Sequence, residues 1–204
     1  MKLTKVPSWI RKSKSDRIWD FSDSSKSIFL TFDDGPQPEV TEWVLELLDQ
    51  EEIKATFFCV GNNVHKYPEI YEQILKSGHQ VGNHSFTHPN AWKTPTEDYM
   101  EDVKKAQTCI ASHLFRPPYG KISNKIVREV EILGMQTVMW SLLSYDFEVD
   151  LNTDKQLKNL QNKVEPGDVV VFHDSMKCYP NLKKLLPSFI KYVQDQGWSF
   201  SRID

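Results

Sequence analysis

A chain of 204 residues with 25 Lys and Arg against 28 Asp and Glu carries a net charge of −3, which excludes the broad basic footprint of a nucleic-acid binder. Hydrophobic residues at 39% and charged residues at 26% exclude a disordered chain. The longest apolar runs, such as Val169-Val170-Val171-Phe172, are too short to cross a bilayer, so no transmembrane segment is expected.

The length suits one domain whose core needs no disulfide or metal staple. Cys59, Cys109 and Cys178 are widely spaced and form no Cys-x-x-Cys pair, which argues against a thiolate zinc site. Cys59, within Ala55-Thr56-Phe57-Phe58-Cys59-Val60, reads as a small buried hydrophobe. Lys2, Lys5, Arg11, Lys12, Lys14 and Arg17 precede no apolar h-region. The expectation is a cytoplasmic protein, or one whose leader has been removed, in which residues 1–26 form an N-terminal extension, read as a solvated tail.

Taken in chain order, Ser27 to Phe32 reads as a strand. Val40, Trp43, Val44, Leu47 and Leu48 then recur at i, i+3, i+4, i+7 and i+8, one apolar helix face. Residues 54–60 read as a strand, 68–77 as a helix, and 80–82 as a short strand. Thr94-Pro95-Thr96-Glu97 has the form of a capping box with Pro at the first helical position, opening a helix through Ile110 in which Gln107 is a polar interruption. Leu114-Phe115 is a short strand, 123–133 a helix stopped at Gly134, 135–140 a strand, 154–163 a helix and 168–172 a strand. A helix over 181–196, closed by Gly197, and a last strand over 198–203 complete the chain. Seven strands interleaved with helices predict a single α/β domain with a parallel sheet, either a barrel or doubly wound.

The polar residues with chemistry are not scattered. Asp33-Asp34 follows the first strand, Asn83-His84 the third and Arg116 the fourth; Asp146 lies past the fifth and His173-Asp174 follows the sixth. In parallel α/β folds the C-terminal strand ends share one face, and that face carries the active site. Polarity at strand ends is ordinary; a concentration of His, Asp and Arg is less so. His84-Ser85-Phe86-Thr87-His88 sets two His at i, i+4, a workable bite for one metal ion if the segment is one helical turn. Two adjacent Asp on extended backbone point in different directions and suit divided roles, one on a metal and one on a water. Two His and one carboxylate with open positions form a catalytic metal set.

Thr31-Phe32-Asp33-Asp34-Gly35-Pro36, His84-Ser85-Phe86-Thr87-His88, Arg116-Pro117-Pro118-Tyr119-Gly120 and Val171-Phe172-His173 stand in this order. Together they resemble the NodB-homology polysaccharide deacetylases, carbohydrate esterase family four, from about Ser27 to the C-terminus. The resemblance implies a distorted, incomplete (β/α) barrel over residues 27–204 and a metal-dependent hydrolase that removes acetyl groups from sugars. It implies Asp34, His84 and His88 as ligands of one divalent metal, Zn first, with Co or Ni as alternatives. It implies Asp33 as the general base, Arg116 as its orienting partner, the Tyr119 N–H as an oxyanion donor and His173 as the general acid. Asp146 corresponds to the carboxylate that tunes the acid, with Asp150 and Asp174 as weaker candidates. Leu143 and Phe147 depart from the Asp and Trp common there. Pro117, Pro118 and Tyr119 are candidates to contact the substrate, as is Trp92, which can stack on a sugar ring or be buried.

The expected activity is N-deacetylation of an acetylated glycan. The alternatives are an O-acetyl esterase with the same site and an inactive carbohydrate-binding descendant. A two-His-one-carboxylate Fe(II) oxygenase leaves the second Asp and His173 without a role.

Overall fold

The computed structural model describes residues 3–21, 24 and 26–204. Eight strands form one sheet: β1 (Ser27–Asp33), β2 (Thr56–Cys59), β3 (Gln80–Asn83), β4 (Leu114–Phe115), β5 (Gln136–Thr137), β6 (Leu142–Leu143), β7 (Val169–His173) and β8 (Ser199–Ser201). Their order is β5-β4-β3-β2-β1-β7-β6, with β8 paired to the start of β1. Every pairing between these strands is parallel. The two ends of the sheet, β5 and β6, are consecutive in the chain and separated only by residues 138–141. The sheet therefore curls almost into a barrel and leaves a seam there. The expected strand over 135–140 is confined to β5, because the chain must leave one sheet edge and reach the other. β6, on the far side of that crossing, was not anticipated.

Helices cover the outer face: α2 (Val40–Gln50), α3 (Gly61–Lys66), α4 (Pro68–Lys76), α5 (Thr96–Gln107), α6 (Asn124–Ile132), α7 (Thr153–Gln161) and α8 (Tyr179–Asp195), after a short N-terminal α1 (Ser8–Ser13). The apolar stripe on α2 buries Val40, Val44 and Leu48 completely against Phe32, Phe57 and Phe172 of the strands and Phe189 of α8. Strand alternation sends Phe57 to this helical layer and Phe58 to the barrel interior, where it meets Leu114, Val138 and Val169. A third cluster joins α5 and α6 to Phe115.

Two local expectations are corrected. α5 begins at Thr96 with Pro95 at its N-cap and no side-chain cap, so the capping box over 94–97 does not form; proline ends the preceding extended segment one residue later than that motif requires. The N-terminal segment is not a solvated tail. Lys5 bridges to Leu142 of β6, and Ile18 bridges to Val138 beyond β5, so the described part of residues 1–26 lies across the seam. Lys5 pairs with Asp168, which is only 3% exposed, at 3.1 Å, Arg11 pairs with Asp20, and Ile18 and Phe21 pack on the interior cluster. Two of the basic residues that suggested solvation, Lys5 and Arg11, instead pair with acids at the barrel edge.

The register carries function. Asp33 stands opposite His173 across β1 and β7. Asn83 stands opposite Phe115, so His84 and Arg116 begin their loops at one level. Ser144 follows β6 and donates to the Val171 carbonyl. These residues all lie at the C-terminal mouth of the barrel.

The opposite end supplies a stability test. His79, entering β3, accepts the Ala55 N–H at Nδ1 (3.2 Å). Burial, with Lys54 and Arg202 adding, lowers its pKa from 6.5 to about 4. Between those values the unfolded chain binds a proton that the folded chain excludes, so stability falls as pH drops, by at most about 1.4 kcal/mol per unit. Urea unfolding of wild type and His79→Asn checks this: wild type minus variant should rise from pH 4 to about 6.5 and stay flat above.

Candidate active site

A cleft of about 290 Å³ opens at the mouth, lined among others by Asp33, Asp34, His84, His88, Tyr119 and His173. The structure thus brings together the residues of all four motifs. Asp33 ends β1 with its carboxylate nearly buried. Arg116 leaves β4 and is wholly buried. Its Nη1 donates to Asp33 Oδ1 (2.8 Å) and to the Thr31 hydroxyl (2.7 Å). Its Nε and Nη2 donate to the carbonyls of Val138 and Met139 in the seam (3.2 and 2.9 Å). The guanidinium lies 3.9 Å from the centroid of Phe58.

Asp34 turns away from Asp33 through a left-handed residue, φ 81°. Its Oδ1 lies 3.7 Å from His84 Nε2 and 3.2 Å from His88 Nε2, and ligand atoms of the three residues fall within 4.8 Å of one another. The two His are not on a helical turn, as the i, i+4 spacing had suggested. Residues 84–88 form a loop with Ser85 at φ 63° and His88 at φ 60°. Asp102 of α5 shapes it, accepting the Phe86 N–H (2.7 Å), the Thr87 N–H and the Thr87 hydroxyl (2.6 Å). The Asn83 side chain accepts the Ser85 N–H (2.7 Å). His84 Nδ1 donates to the Arg116 carbonyl (2.7 Å), which turns Nε2 and its lone pair toward Asp34. Burial lowers the His84 pKa to about 4, with His88 adding and Asp33 opposing, so the ring is neutral and fit to ligate. Burial works to raise the Asp34 pKa, but the His88 hydrogen bond and the nearby imidazoles outweigh it and hold the carboxylate well below its usual range.

Across the cleft, His173 Nδ1 donates to Asp146 Oδ1 (2.7 Å). Asp146 also accepts the His173 N–H (2.8 Å) and the Ser144 hydroxyl (2.8 Å). Burial alone would lower the His173 pKa, but the charge and hydrogen bond of Asp146, then the charges of Asp34 and Asp33, raise it to about 9. Phe147 packs nearly perpendicular to this imidazole, ring centres 5.3 Å apart, and Leu143 lines the cleft.

Other expected residues fall less centrally. Pro117 and Pro118 are buried behind the cleft wall, while Tyr119 is exposed and its hydroxyl meets His88 Nδ1 at 3.2 Å. Trp92 is 70% exposed, with the Lys121 ammonium 5.0 Å over its ring. Asp150 is exposed. Asp174 does not touch His173's ring; it accepts the Gly35 N–H (3.0 Å) and the Thr41 hydroxyl (2.6 Å). A Cβ at Gly35 would stand 2.0 Å from that carboxylate, so only glycine admits this brace. Asn63, which donates to the Asp34 carbonyl (2.8 Å), and Asn181, which donates to the Asp146 carbonyl (2.9 Å), complete the support. Motif spacing did not single out Asp102, Asn63 or Asn181, because each acts on a neighbour's backbone.

A buried carboxylate beside a guanidinium stands on one wall and an imidazole paired with a carboxylate on the other, around a cleft open at the mouth. That arrangement suits attack of water on an acyl group, the chemistry of a hydrolase. A family model described as Polysaccharide deacetylase matches residues 21–138. A chitooligosaccharide deacetylase of Azorhizobium caulinodans is 35% identical over 170 residues, 78% of this chain and 77% of that protein. A peptidoglycan-N-acetylglucosamine deacetylase of Bacillus cereus is 30% identical over 188 residues, 89% and 88% of the two chains. The crystal structure of the Bc1960 peptidoglycan N-acetylglucosamine deacetylase, in complex with a naphthalenyl N-oxidanyl-benzamide, superposes with a TM-score of 0.88 at 27% identity, covering 97% of this chain and 95% of that one. The chain belongs to the polysaccharide deacetylase family, and its fold is the incomplete parallel barrel expected from the motifs.

Removing one side of a buried pair strands the other charge, at about 3–5 kcal/mol. Arg116→Met should therefore lower the unfolding free energy by that amount. Arg116→Met with Asp33→Asn should recover part of it without recovering activity. Urea unfolding of both variants beside an acetate-release assay checks both halves.

Proposed function

We propose that the protein removes the acetyl group from N-acetylglucosamine units of an oligomeric glycan, by hydrolysis of the amide. The observation that carries this reading is the His173–Asp146 pair, 2.7 Å apart at the cleft wall. An amine leaves only when protonated, whereas an ester alkoxide departs without help, so a positioned and charged acid is the equipment of an amidase. The names of the Azorhizobium and Bacillus relatives support the sugar.

Asp34, His84 and His88 would hold a divalent ion. Their donor atoms converge, and the Arg116 carbonyl fixes the His84 tautomer so that its lone pair is free for it. One oxygen and two nitrogens are a set that zinc accepts with positions to spare, and cobalt or nickel also take it. When bound, such an ion supplies Lewis acidity, polarising an acyl oxygen and acidifying water. The remaining work falls to side chains of this chain. Asp33, held and aimed by Arg116, takes the proton of the attacking water. The Tyr119 N–H donates to the oxyanion. His173 gives its Nε2 proton to the departing nitrogen while Nδ1 stays on Asp146. Exposed Tyr119 and Trp92 offer ring faces for sugar stacking beyond the reacting unit.

Acetate release from chitooligosaccharides and peptidoglycan fragments, beside acetylated xylan, tests the bond cleaved. Amide substrates should be hydrolysed; release from the ester alone would replace this reading with an O-acetyl esterase. Elemental analysis should find about one divalent ion per chain, lost in His84→Ala and His88→Ala and retained in Asp33→Asn. Asp33→Asn should lower kcat/KM by about 10²-fold or more, the scale of general base catalysis.

The pH profile carries a separate sign. His173 must be protonated to act, so activity falls as pH rises through its pKa, raised to about 9 in the metal-free chain. A bound cation would draw that value down, while Asp146 holds it up. Asp146→Asn should therefore move the alkaline limb of kcat/KM to lower pH, toward the ordinary histidine value near 6.5. An unmoved limb would assign it to another group.

A further inference from the structure

Cys178 is the N-cap residue of α8, 1% exposed, and borders the cleft on the side of His173. The Ser175 hydroxyl donates to its sulfur at 3.2 Å. Nothing in the hydrolytic reading uses this thiol, and a small buried hydrophobe would fill the position equally well. Its placement is more specific than that. The sulfur, a ring nitrogen of His173 and a carboxylate oxygen of Asp146 all lie within 4.8 Å of one another. Thiolate, imidazole and carboxylate together form a ligand set for zinc, and the thiolate selects soft ions over hard ones. The other triad, Asp34, His84 and His88, lacks sulfur. Two metal-ligating triads of different softness, sharing no residue, therefore face one cleft.

We propose that Asp146, His173 and Cys178 form a second divalent-metal site, inhibitory and selective for thiophilic ions such as Zn²⁺ or Cd²⁺. Its filling is an exchange of the ion for two protons, one from the Cys178 thiol and one from the His173 imidazolium. Zinc bonds of about 2.0–2.2 Å to nitrogen and oxygen and about 2.3 Å to sulfur fit a triad of this span after sub-ångström shifts. His173 Nδ1 and Asp146 Oδ1, now 2.7 Å apart around a shared proton, need separate only slightly to admit the ion between them. Whichever ring nitrogen ligates, the imidazolium can no longer form, so the acid is lost while the first metal stays in place. Mg²⁺ and Ca²⁺, which prefer oxygen, leave the site empty. The inhibition rests on His173 as the acid; the metal binding does not.

Cobalt separates these statements, because thiolate ligation gives a sulfur-to-cobalt charge-transfer absorption that an oxygen–nitrogen set does not. Metal-free protein is titrated with Co²⁺ while near-ultraviolet absorption and deacetylation of chitooligosaccharides are followed. The first equivalent should bring activity without the thiolate band. Further Co²⁺, or Zn²⁺ in a parallel assay, should lower activity at least tenfold, and the band should grow with the Co²⁺ that does so. Cys178→Ser should be active with the first equivalent and show neither band nor loss in excess metal. Absence of the band in wild type at excess Co²⁺ overturns the site, and that result stands whether or not the variant folds. Equal inhibition of wild type and Cys178→Ser overturns it as well. A band that rises without loss of activity overturns the inhibitory role and the assignment of His173 as acid together. Failure of the first equivalent to bring any activity would count against the hydrolytic reading instead, and leaves the spectral test of the site in force.

Discussion

The site depends on a guanidinium buried where no water reaches it. Arg116 has four donor contacts, to Asp33, Thr31 and the carbonyls of Val138 and Met139. Its own carbonyl receives the Nδ1 proton of His84. One residue thus pairs with the Asp33 carboxylate, selects the tautomer of His84, and ties down the crossing that a fully closed barrel would tie with a strand ladder. A buried cation is costly to desolvate, and only this density of partners offsets it. Lysine could not replace it, since three donors on one point charge cannot reach acceptors spread around a plane.

Around that anchor the backbone is under strain, and the strain is local. Seven described residues other than glycine have positive φ, and five of them, Asp34, Ser85, His88, Tyr119 and Tyr145, are in or beside the cleft. Such residues cost on the order of 1–3 kcal/mol each unless their surroundings over-determine them. Here the surroundings do. Asn63 holds the Asp34 carbonyl, Asp102 gathers the amides of the His84–His88 loop, Asp174 braces Gly35, and Asn181 holds the carbonyl of Asp146. The parallel strands bring the loops to one level, and these side chains then bend each loop so that its functional group faces inward.

The architecture was legible in the sequence to the extent that it rests on period and punctuation. The α2 stripe, the strand at β1 and the placement of Asp33, His84, Arg116 and His173 past strand ends all follow from short-range pattern. What escaped is what depends on closure. β6 is two residues long and exists because β7 offers an edge there. The N-terminal segment looks polar until Asp168 and Asp20 are seen to meet its cations. The His84–His88 spacing fits a helical turn equally well, and Asn83, Ser85 and Asp102 decide for a loop. Pro117 and Pro118 belong to a site motif, yet they are buried; a motif marks a loop without saying which of its side chains face the cleft. Cys178 carries no spacing signal, since its neighbours in space are 32 and five positions away in the chain.

The contrast between His84 and His173 shows how the fold assigns chemistry to one residue type. Both rings border the same cleft, and both present Nδ1 to an oxygen at 2.7 Å. For His84 that oxygen is a backbone carbonyl, which orients the ring but does too little for a positive charge to offset its burial; the pKa falls to about 4. For His173 the oxygen is a carboxylate, which orients the ring and stabilises the charge; the pKa rises to about 9. A neutral imidazole can ligate and a charged one can donate a proton, so the partner at Nδ1 sets what each ring is able to do. This also bears on the departures at Leu143 and Phe147. Phe147 stands nearly perpendicular to the His173 ring and supplies no charge, whereas Asp146 makes two contacts to His173. Phe147 for the common Trp keeps an apolar ring beside His173, and Leu143 for the common Asp takes a carboxylate from the cleft wall. The proton on His173 answers to the Asp146 carboxylate, and that carboxylate is unchanged.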